Sequence, residues 1–218
     1  MLDLGQVINK NIKAFVRNNV YTSLPAEIIA VDRFEEQQIV DVKPLIKRVY
    51  EDGVTLESAN IYSVPVVFPS AGGGLLSFPI AVGDTVLLLF TMRSLEDWLS
   101  GGGELATPVS TRSHSINDAI AIPGLYTRSS HLAPNPLHVE LKFNDLSFRL
   151  ETSGDIVLEN PSHSLTLKSN GDVLHSSGAK ITASGDFITA AGISLDNHTH
   201  TQSNDSNGDS QQPTNPPS

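Results

Sequence analysis

The stretch that decides the fold is residues 138–200, HVELKFNDLSFRLETSGDIVLENPSHSLTLKSNGDVLHSSGAKITASGDFITAAGISLDNHTH. It is a ladder of very short apolar segments separated by small polar turns. Three of these turns share Gly-Asp, at 154–155, 171–172 and 185–186, and their spacings of 17 and 14 residues form a loose repeat. The pattern predicts strands at 139–143, 146–150, 156–159, 165–168, 173–175, 180–183, 187–189 and 193–195.

Each predicted strand offers only two or three large residues to an apolar face. Ordering one residue costs about 1–2 kcal/mol of backbone entropy, whereas burying one large aliphatic side chain returns about 1.5–3 kcal/mol. Such a strip cannot form a core by itself, and we expect identical strips from other chains, closed around an axis, to cover it. The inward candidates become smaller toward the end of the ladder, which predicts a tapering β-prism. These smaller candidates are Ala179, Ala183, Ala190, Ala191 and Gly192.

A His-x-His pair, His198 and His200, follows the ladder directly. In an extended chain, residues i and i+2 point to the same side, so the two imidazoles should lie together. Two solvated histidines in a polar tail remain the alternative. Three chains around an axis would offer six nitrogens, and octahedral coordination suits Fe(II) or Ni(II) better than tetrahedral Zn(II). A site filled in this way would be structural rather than catalytic.

The residues before the ladder predict a short helix and then a compact β-domain. Apolar residues from Leu4 to Val16 recur at helical spacing, with Asp3 as a candidate N-cap. About five short strands within residues 24–93 are consistent with a small OB-type barrel. We predict strands at 26–31, 38–46, 61–68 and 86–90, the last buried on both sides, and a helical turn at 94–99. Pro65 argues for an edge position or a bend in the third strand.

Composition excludes several classes of function. The 218 residues include no cysteine, which removes disulfides and thiolate chemistry, and no segment approaches the ~20 apolar residues of a membrane span. Fourteen Lys+Arg against 24 Asp+Glu give a net charge of −10, which disfavours nucleic-acid binding. We also expect no secretory signal, because Met1 is followed by neither a basic nor an apolar region.

Taken together, these features resemble the central spike, or tail-tip, proteins of the baseplate of contractile-tailed bacteriophages. In that family an N-terminal OB barrel precedes a trimeric β-helical needle, and a His-x-His at the apex binds one iron ion through six histidines of three chains. The resemblance implies this domain order: N-terminal helix 1–20, OB-fold barrel 21–111, connector 112–137, trimeric needle with a metal-binding apex 138–200, and polar tail 201–218. It also implies that His198 and His200 are the iron ligands.

The function expected from this resemblance is that of a non-enzymatic homotrimer at the tip of the virion tail. It would pierce the host outer membrane during tail contraction, while its helix and barrel bind hub or tail tube proteins. We expect neither nucleic acid nor a small-molecule substrate as a partner. From Glu151 onward, eight acidic residues and two lysines give a net charge of −6, which predicts a hydrophilic needle surface.

Two alternatives remain open. One is a trimeric receptor-binding fibre or glycan-cleaving tailspike, which needs grooves lined by aromatic or carboxylate side chains. The other is a metal-dependent hydrolase, whose ion needs further ligands, and only Asp205 and Asp209 follow His200. We expect the remaining histidines at 114, 131, 138 and 163 to be ordinary loop or strand residues. His175 shares a face with Val173 and could line the axis, although we do not predict it as a ligand.

Overall fold

The computed structural model describes residues 3–201 and 213–215, and the chain divides into two compact units, Met1–Leu132 and Ala133–Ser218. Both units consist mainly of short strands, which confirms the prediction of an all-β chain with few helical residues. Among the described residues, no helix has both the length and the apolar character needed to cross a membrane.

The predicted N-terminal helix is confirmed as α1, Leu4–Asn19. Asp3 occupies the N-cap position without a side-chain bond, and the helix ends where the Val20 N–H donates to the carbonyl of Val16 at 3.1 Å. Two basic side chains of α1 hold it to the first unit, because Lys10 Nζ and Arg17 Nη2 lie 3.5 and 3.2 Å from the Glu51 carboxylate. Its apolar side chains are exposed, by 38–72%. They are Leu4, Val7, Ile8, Ile12, Phe15 and Val16.

The rest of the first unit is built around one five-stranded antiparallel sheet. Its elements are β1 Ser23–Ala30, α2 Phe34–Gln37, β2 Ile39–Pro44, β3 Arg48–Val49, β4 Thr55–Leu56, β5 Ile61–Pro65, β6 Ser70–Ala71, β7 Gly74–Leu75, β8 Thr85–Phe90, α3 Glu96–Leu99 and β9 Ala119–Pro123. The order in the large sheet is β5-β2-β1-β8-β9, while β3-β4 and β6-β7 form two small hairpins. Pro65 ends β5 at the edge of this sheet, as the sequence predicts.

The core of the first unit lies on one face of this curled sheet. Alternate residues of β8 are buried and half-buried, so this strand faces the core on one side and is not buried on both sides as predicted. Beyond β5, Val66 forms a parallel bridge with Ala121 of β9, and the Val67 N–H donates to the Ala121 carbonyl at 2.9 Å. The two ends of the sheet therefore approach each other. The largest of the fully buried side chains are Ile28, Leu88, Val40, Val42, Val64, Val66 and Val86.

The apolar patch at 119–123, which sequence patterning leaves in an irregular connector, belongs to this sheet. It forms β9 and pairs with β8 over five residues. Arg112, at the start of the predicted connector, bonds to the buried carboxylate of Asp118 at 3.2 Å and to the Ser94 hydroxyl at 3.0 Å. The division between the units falls after Leu132. The pairing joins segments about thirty residues apart, and local periodicity cannot reveal it.

The second unit is a single antiparallel meander of seven strands. They are β10 Val139–Phe143, β11 Leu146–Leu150, β12 Ile156–Glu159, β13 Ser164–Leu167, β14 Val173–His175, β15 Lys180–Ile181 and β16 Phe187–Ile188, each paired with the next. The predicted ladder is thus confirmed, although its last segment forms only an isolated bridge between Ile188 and Ser194. Strand length falls from five residues at β10 to two at β16, so the sheet narrows along its length.

One face of this meander is apolar and uncovered. The register places Leu141 opposite Phe148, Phe148 opposite Leu158, and Leu158 opposite Leu165, so these side chains share one face. Large residues on this face are 36–69% exposed in the single chain. They include Val139, Leu141, Phe143, Leu146, Phe148, Leu150, Leu158, Leu165, Leu167, Ile181 and Phe187.

The predicted taper through small inward side chains is wrong. Ala179, Ala183, Ala190, Ala191 and Gly192 lie in turns and not on the apolar face. The apolar face keeps large residues near its narrow end, where Ile181 pairs with Phe187. The sheet narrows because its strands shorten, since in this part five-residue turns take up most of each repeat.

Most turns of the meander repeat one geometry. In the five segments 151–155, 168–172, 175–179, 182–186 and 189–193, the first residue's N–H donates to the fifth residue's carbonyl, and the fourth residue's N–H donates to the first residue's carbonyl. The fourth residue is always glycine, with φ between +81° and +97°, a conformation that side chains with a Cβ disfavour. From Gly171 the glycines recur every seven residues, at 178, 185 and 192.

The aspartates of the three Gly-Asp turns join successive turns on the same edge of the sheet. The carboxylates of Asp155, Asp172 and Asp186 accept backbone N–H groups from Ser169, Ala183 and Asp196, at 2.8, 2.8 and 3.2 Å respectively. Asp155 is buried and also accepts from Lys168 Nζ at 2.5 Å. The Lys168 ammonium, together with the Ser169 N–H, lowers the pKa of the Asp155 carboxyl below its usual value. The repeated Gly-Asp therefore has a structural role.

Candidate metal centre

The two histidines of the His-x-His motif lie next to each other just beyond the narrow end of the sheet. The ring centroids of His198 and His200 are 5.1 Å apart, and the ring planes are nearly perpendicular, at 87°. His198 is half-buried, whereas His200 is exposed. The structure therefore brings together the two imidazoles that the spacing predicts, while their role as metal ligands stays a prediction.

The surroundings of His198 select the tautomer that leaves Nε2 free to bind a metal. Its Nδ1 lies 3.1 Å from the Ser194 carbonyl oxygen and 3.0 Å from that of Leu195. A carbonyl oxygen can only accept, so Nδ1 carries the ring proton in the neutral form. Nε2 then keeps a free lone pair, and a backbone carbonyl on the other ring nitrogen is a common second partner of metal-bound histidine.

Asp186 holds the turn that carries His198. One carboxylate oxygen accepts the Ser194 hydroxyl at 2.7 Å, and the other accepts the Asp196 N–H at 3.2 Å. The Ser194 hydroxyl oxygen in turn accepts the Asn197 N–H at 3.0 Å. The sequence predicts a turn at 185–186 but gives no sign that this carboxylate reaches forward ten residues to the histidine-bearing turn.

A residue from the polar tail holds the backbone of His200. The His200 N–H donates to the Thr214 hydroxyl at 2.9 Å, and the Thr214 N–H donates to the His200 carbonyl at 3.0 Å. Thr214 cannot be identified from the sequence, because the tail has no periodicity or motif that marks one threonine. The other tail residues of interest, Asp205 and Asp209, lie outside the described residues.

One chain brings two imidazoles together, and no further metal-ligating side chain joins them in the part that the structure describes. Within residues 3–201 and 213–215, no three His, Asp or Glu side chains converge to hold a metal ion. Two adjacent imidazoles, one with its Nε2 lone pair free, fit a site that several chains complete. Six nitrogens from three chains would fill an octahedral ion and leave no position for a substrate.

The remaining histidines lie away from this pair. His114 and His131 belong to the first unit, and His138 precedes β10. His163 and His175 lie in the second unit with their ring centroids 5.2 Å apart. His175 shares the apolar face with Val173, as the sequence predicts, whereas no pattern in the sequence places His163 beside it.

Comparison with known proteins bears on the first unit. Residues 24–124 match the family model described as Phage protein Gp138 N-terminal domain, and this range runs from β1 to the end of β9. No curated protein matches the chain. The match covers 101 of the 218 residues and supports a phage structural protein, a virion component associated with the tail or baseplate.

Proposed function

We propose that this protein is the central spike of a contractile phage baseplate, a homotrimer that pierces the host outer membrane during tail contraction. The observation that carries the proposal is the uncovered apolar face of the C-terminal meander, which leads to the His198–His200 pair. The role is mechanical: the needle transmits axial force, and one iron ion joins the three chain ends where the strands have become too short to bury a core.

The exposed apolar face is the reason for a trimeric needle. A monomer would leave Val, Leu, Ile and Phe side chains of six strands 36–69% exposed, far more than the scattered apolar residues of an ordinary surface. Each contributes about 25 cal/mol per Å² when it is removed from water. A β-prism of three such sheets buries this face completely and leaves the polar face, with Glu140, Lys142, Arg149 and Glu159, in solvent.

The first unit attaches the spike to the tail. We assign its five-stranded sheet to an OB-type barrel, because its end strands meet at the Val66–Ala121 bridge and the family match covers the whole sheet. The exposed apolar side of α1 supports attachment to a hub or tail tube protein. So do the apolar side chains around α3, where Trp98, Leu105 and Val109 are 48%, 102% and 90% exposed.

Native mass spectrometry combined with elemental analysis of the purified full chain tests the trimer and the ion together. We expect the mass of three chains with one iron ion. The double variant His198→Ala/His200→Ala should lose the ion and remain trimeric, because the ladder above the apex is unchanged. His131→Ala in the first unit is the matched control and should keep both. A monomer, an absence of metal, or one ion per chain contradicts the proposal.

Infection by phage carrying the same double variant tests the piercing role. We expect normal adsorption to the host but less DNA delivery for each adsorbed particle, since the weakened tip acts after attachment. A loss of adsorption would instead favour the receptor-binding fibre, and hydrolysis of host glycans by the purified chain would favour a tailspike or a hydrolase.

A further inference from the structure

A second histidine pair lies on the apolar face of the meander, in its middle. His175 is opposite Leu165 in the pairing of β13 with β14, and His163 precedes Leu165 by two residues, so the three side chains share one face. The two rings are 5.2 Å apart with their planes inclined by 34°. Both line a groove whose other walls are apolar, chiefly Leu141, Phe143, Phe148 and Leu158.

Hydrogen bonds at Nδ1 distinguish this pair from the pair at the apex. The Ser177 N–H donates to His175 Nδ1 at 3.1 Å, so this nitrogen is an acceptor and the neutral ring carries its proton on Nε2. The Ser176 hydroxyl oxygen accepts the Ser164 N–H at 3.1 Å. The same oxygen lies 3.5 Å from His163 Nδ1, which is long for a hydrogen bond. His175 therefore presents an Nε2–H donor, whereas His198 presents a lone pair.

Two of the polar side chains at the groove make hydrogen bonds elsewhere in the unit. The Glu159 carboxylate pairs with Arg149 at 2.5 Å, and the Asn160 side-chain oxygen accepts the backbone N–H groups of Ser162 and His163 at 2.9 and 2.8 Å. In the part of the chain that the structure describes, the remaining walls of this groove offer mainly carbon atoms. The His175 Nε2–H needs a partner that is not part of this face.

The consequence rests on the proposed trimer. Closing three sheets around an axis would place three His175 Nε2–H donors in an apolar interior, where each unsatisfied donor costs about 1–3 kcal/mol. Water could accept from two of them but would have to donate its own two protons, for which the interior has no acceptors. An anion accepts several hydrogen bonds and donates none. We propose that His163 and His175 of three chains bind a small monovalent anion, of the halide or nitrate class, inside the needle.

Bromide is the probe, because its anomalous scattering identifies it in crystals of the full-length trimer grown from sodium bromide. We expect one bromide per trimer between the rings of His163 and His175, replaced by chloride when crystals are grown from sodium chloride. Density without an anomalous signal, which indicates water, or a transition metal at this position overturns the proposal.

Variants separate this inference from the proposed function. His175→Phe should reduce bromide at this position to background while the apex metal and the trimer persist. His198→Ala/His200→Ala should lose the metal and keep the bromide. A trimer with apex iron but no interior bromide refutes the anion site alone. A wild-type monomer refutes the spike and the anion site together, and a bromide signal that persists unchanged in His175→Phe also refutes the assignment.

Discussion

A carboxylate placed on the apolar face of the meander should prevent assembly, and the same carboxylate one residue earlier should not. Leu167 is 43% exposed in the single chain, and its partners across the sheet are Ile156 and Val173. Truncating a buried leucine costs about 2–5 kcal/mol. A buried, unpaired carboxylate adds several kcal/mol more. Three copies of Leu167→Asp would cost about 15 kcal/mol or more, as much as the whole stability of an ordinary domain.

Thr166→Asp is the matched control, since Thr166 is the neighbouring residue of β13 and faces the opposite side, across from Val157 and Leu174. Sedimentation velocity of the two variants and the wild type measures the outcome. We expect trimers for the wild type and Thr166→Asp, and monomers or aggregates for Leu167→Asp. A Leu167→Asp protein that remains as trimeric and as stable as Thr166→Asp would refute the assignment of this face to the interior.

Three further predictions concern the turns and the tail. Thr214→Val should speed loss of the apex ion to a chelator about five-fold, by removing one hydrogen bond worth about 1 kcal/mol, and Thr214→Ser should not. Gly171→Ala should accelerate unfolding in denaturant more than Gly185→Ala does. Both substitutions place a Cβ on a residue with positive φ, which costs about 1–3 kcal/mol. Of these two, only the new Cβ at 171 would lie 3.2 Å from another Cβ, that of Ala183. Folding lowers the pKa of the Asp155 carboxyl, so the ionised side chain stabilises the folded protein at pH values above the unfolded-state pKa of about 3.9. The free energy of unfolding lost in Asp155→Asn should therefore shrink as the pH falls below that pKa. A loss that does not depend on pH would contradict this prediction.

The ladder could be predicted because its information is local. Alternation within four or five residues, interrupted by glycine at each turn, determines which residues form strands and which face they share. The adjacency of His198 and His200 follows from the same two-residue period. The N-terminal helix was also predictable, since its apolar residues recur at helical spacing over sixteen residues.

Features that depend on contacts distant in sequence could not be predicted. The strand at 119–123 is recognisable only through its pairing with β8. The carboxylates of Asp155, Asp172 and Asp186 reach the next turn on their edge, ten to fourteen residues further on. Thr214 returns to His200 across a tail without periodicity. The alanines predicted to be smaller inward side chains lie in turns. A composition gradient does not reveal which face a residue occupies.

Glycine recurs every seven residues near the end of the sheet, so insertions or deletions can change the length of the meander in fixed steps. Each seven-residue period adds one strand and one turn. A residue and the residue seven positions later therefore lie on opposite faces of the sheet, and successive turns lie at opposite edges. After two periods, or fourteen residues, equivalent positions again share the same face and the same edge. Inserting or deleting a fourteen-residue block between Gly171 and Gly192 changes the length by two strand spacings, about 10 Å. Duplication within a gene can therefore lengthen such a molecule without redesigning its terminal histidines.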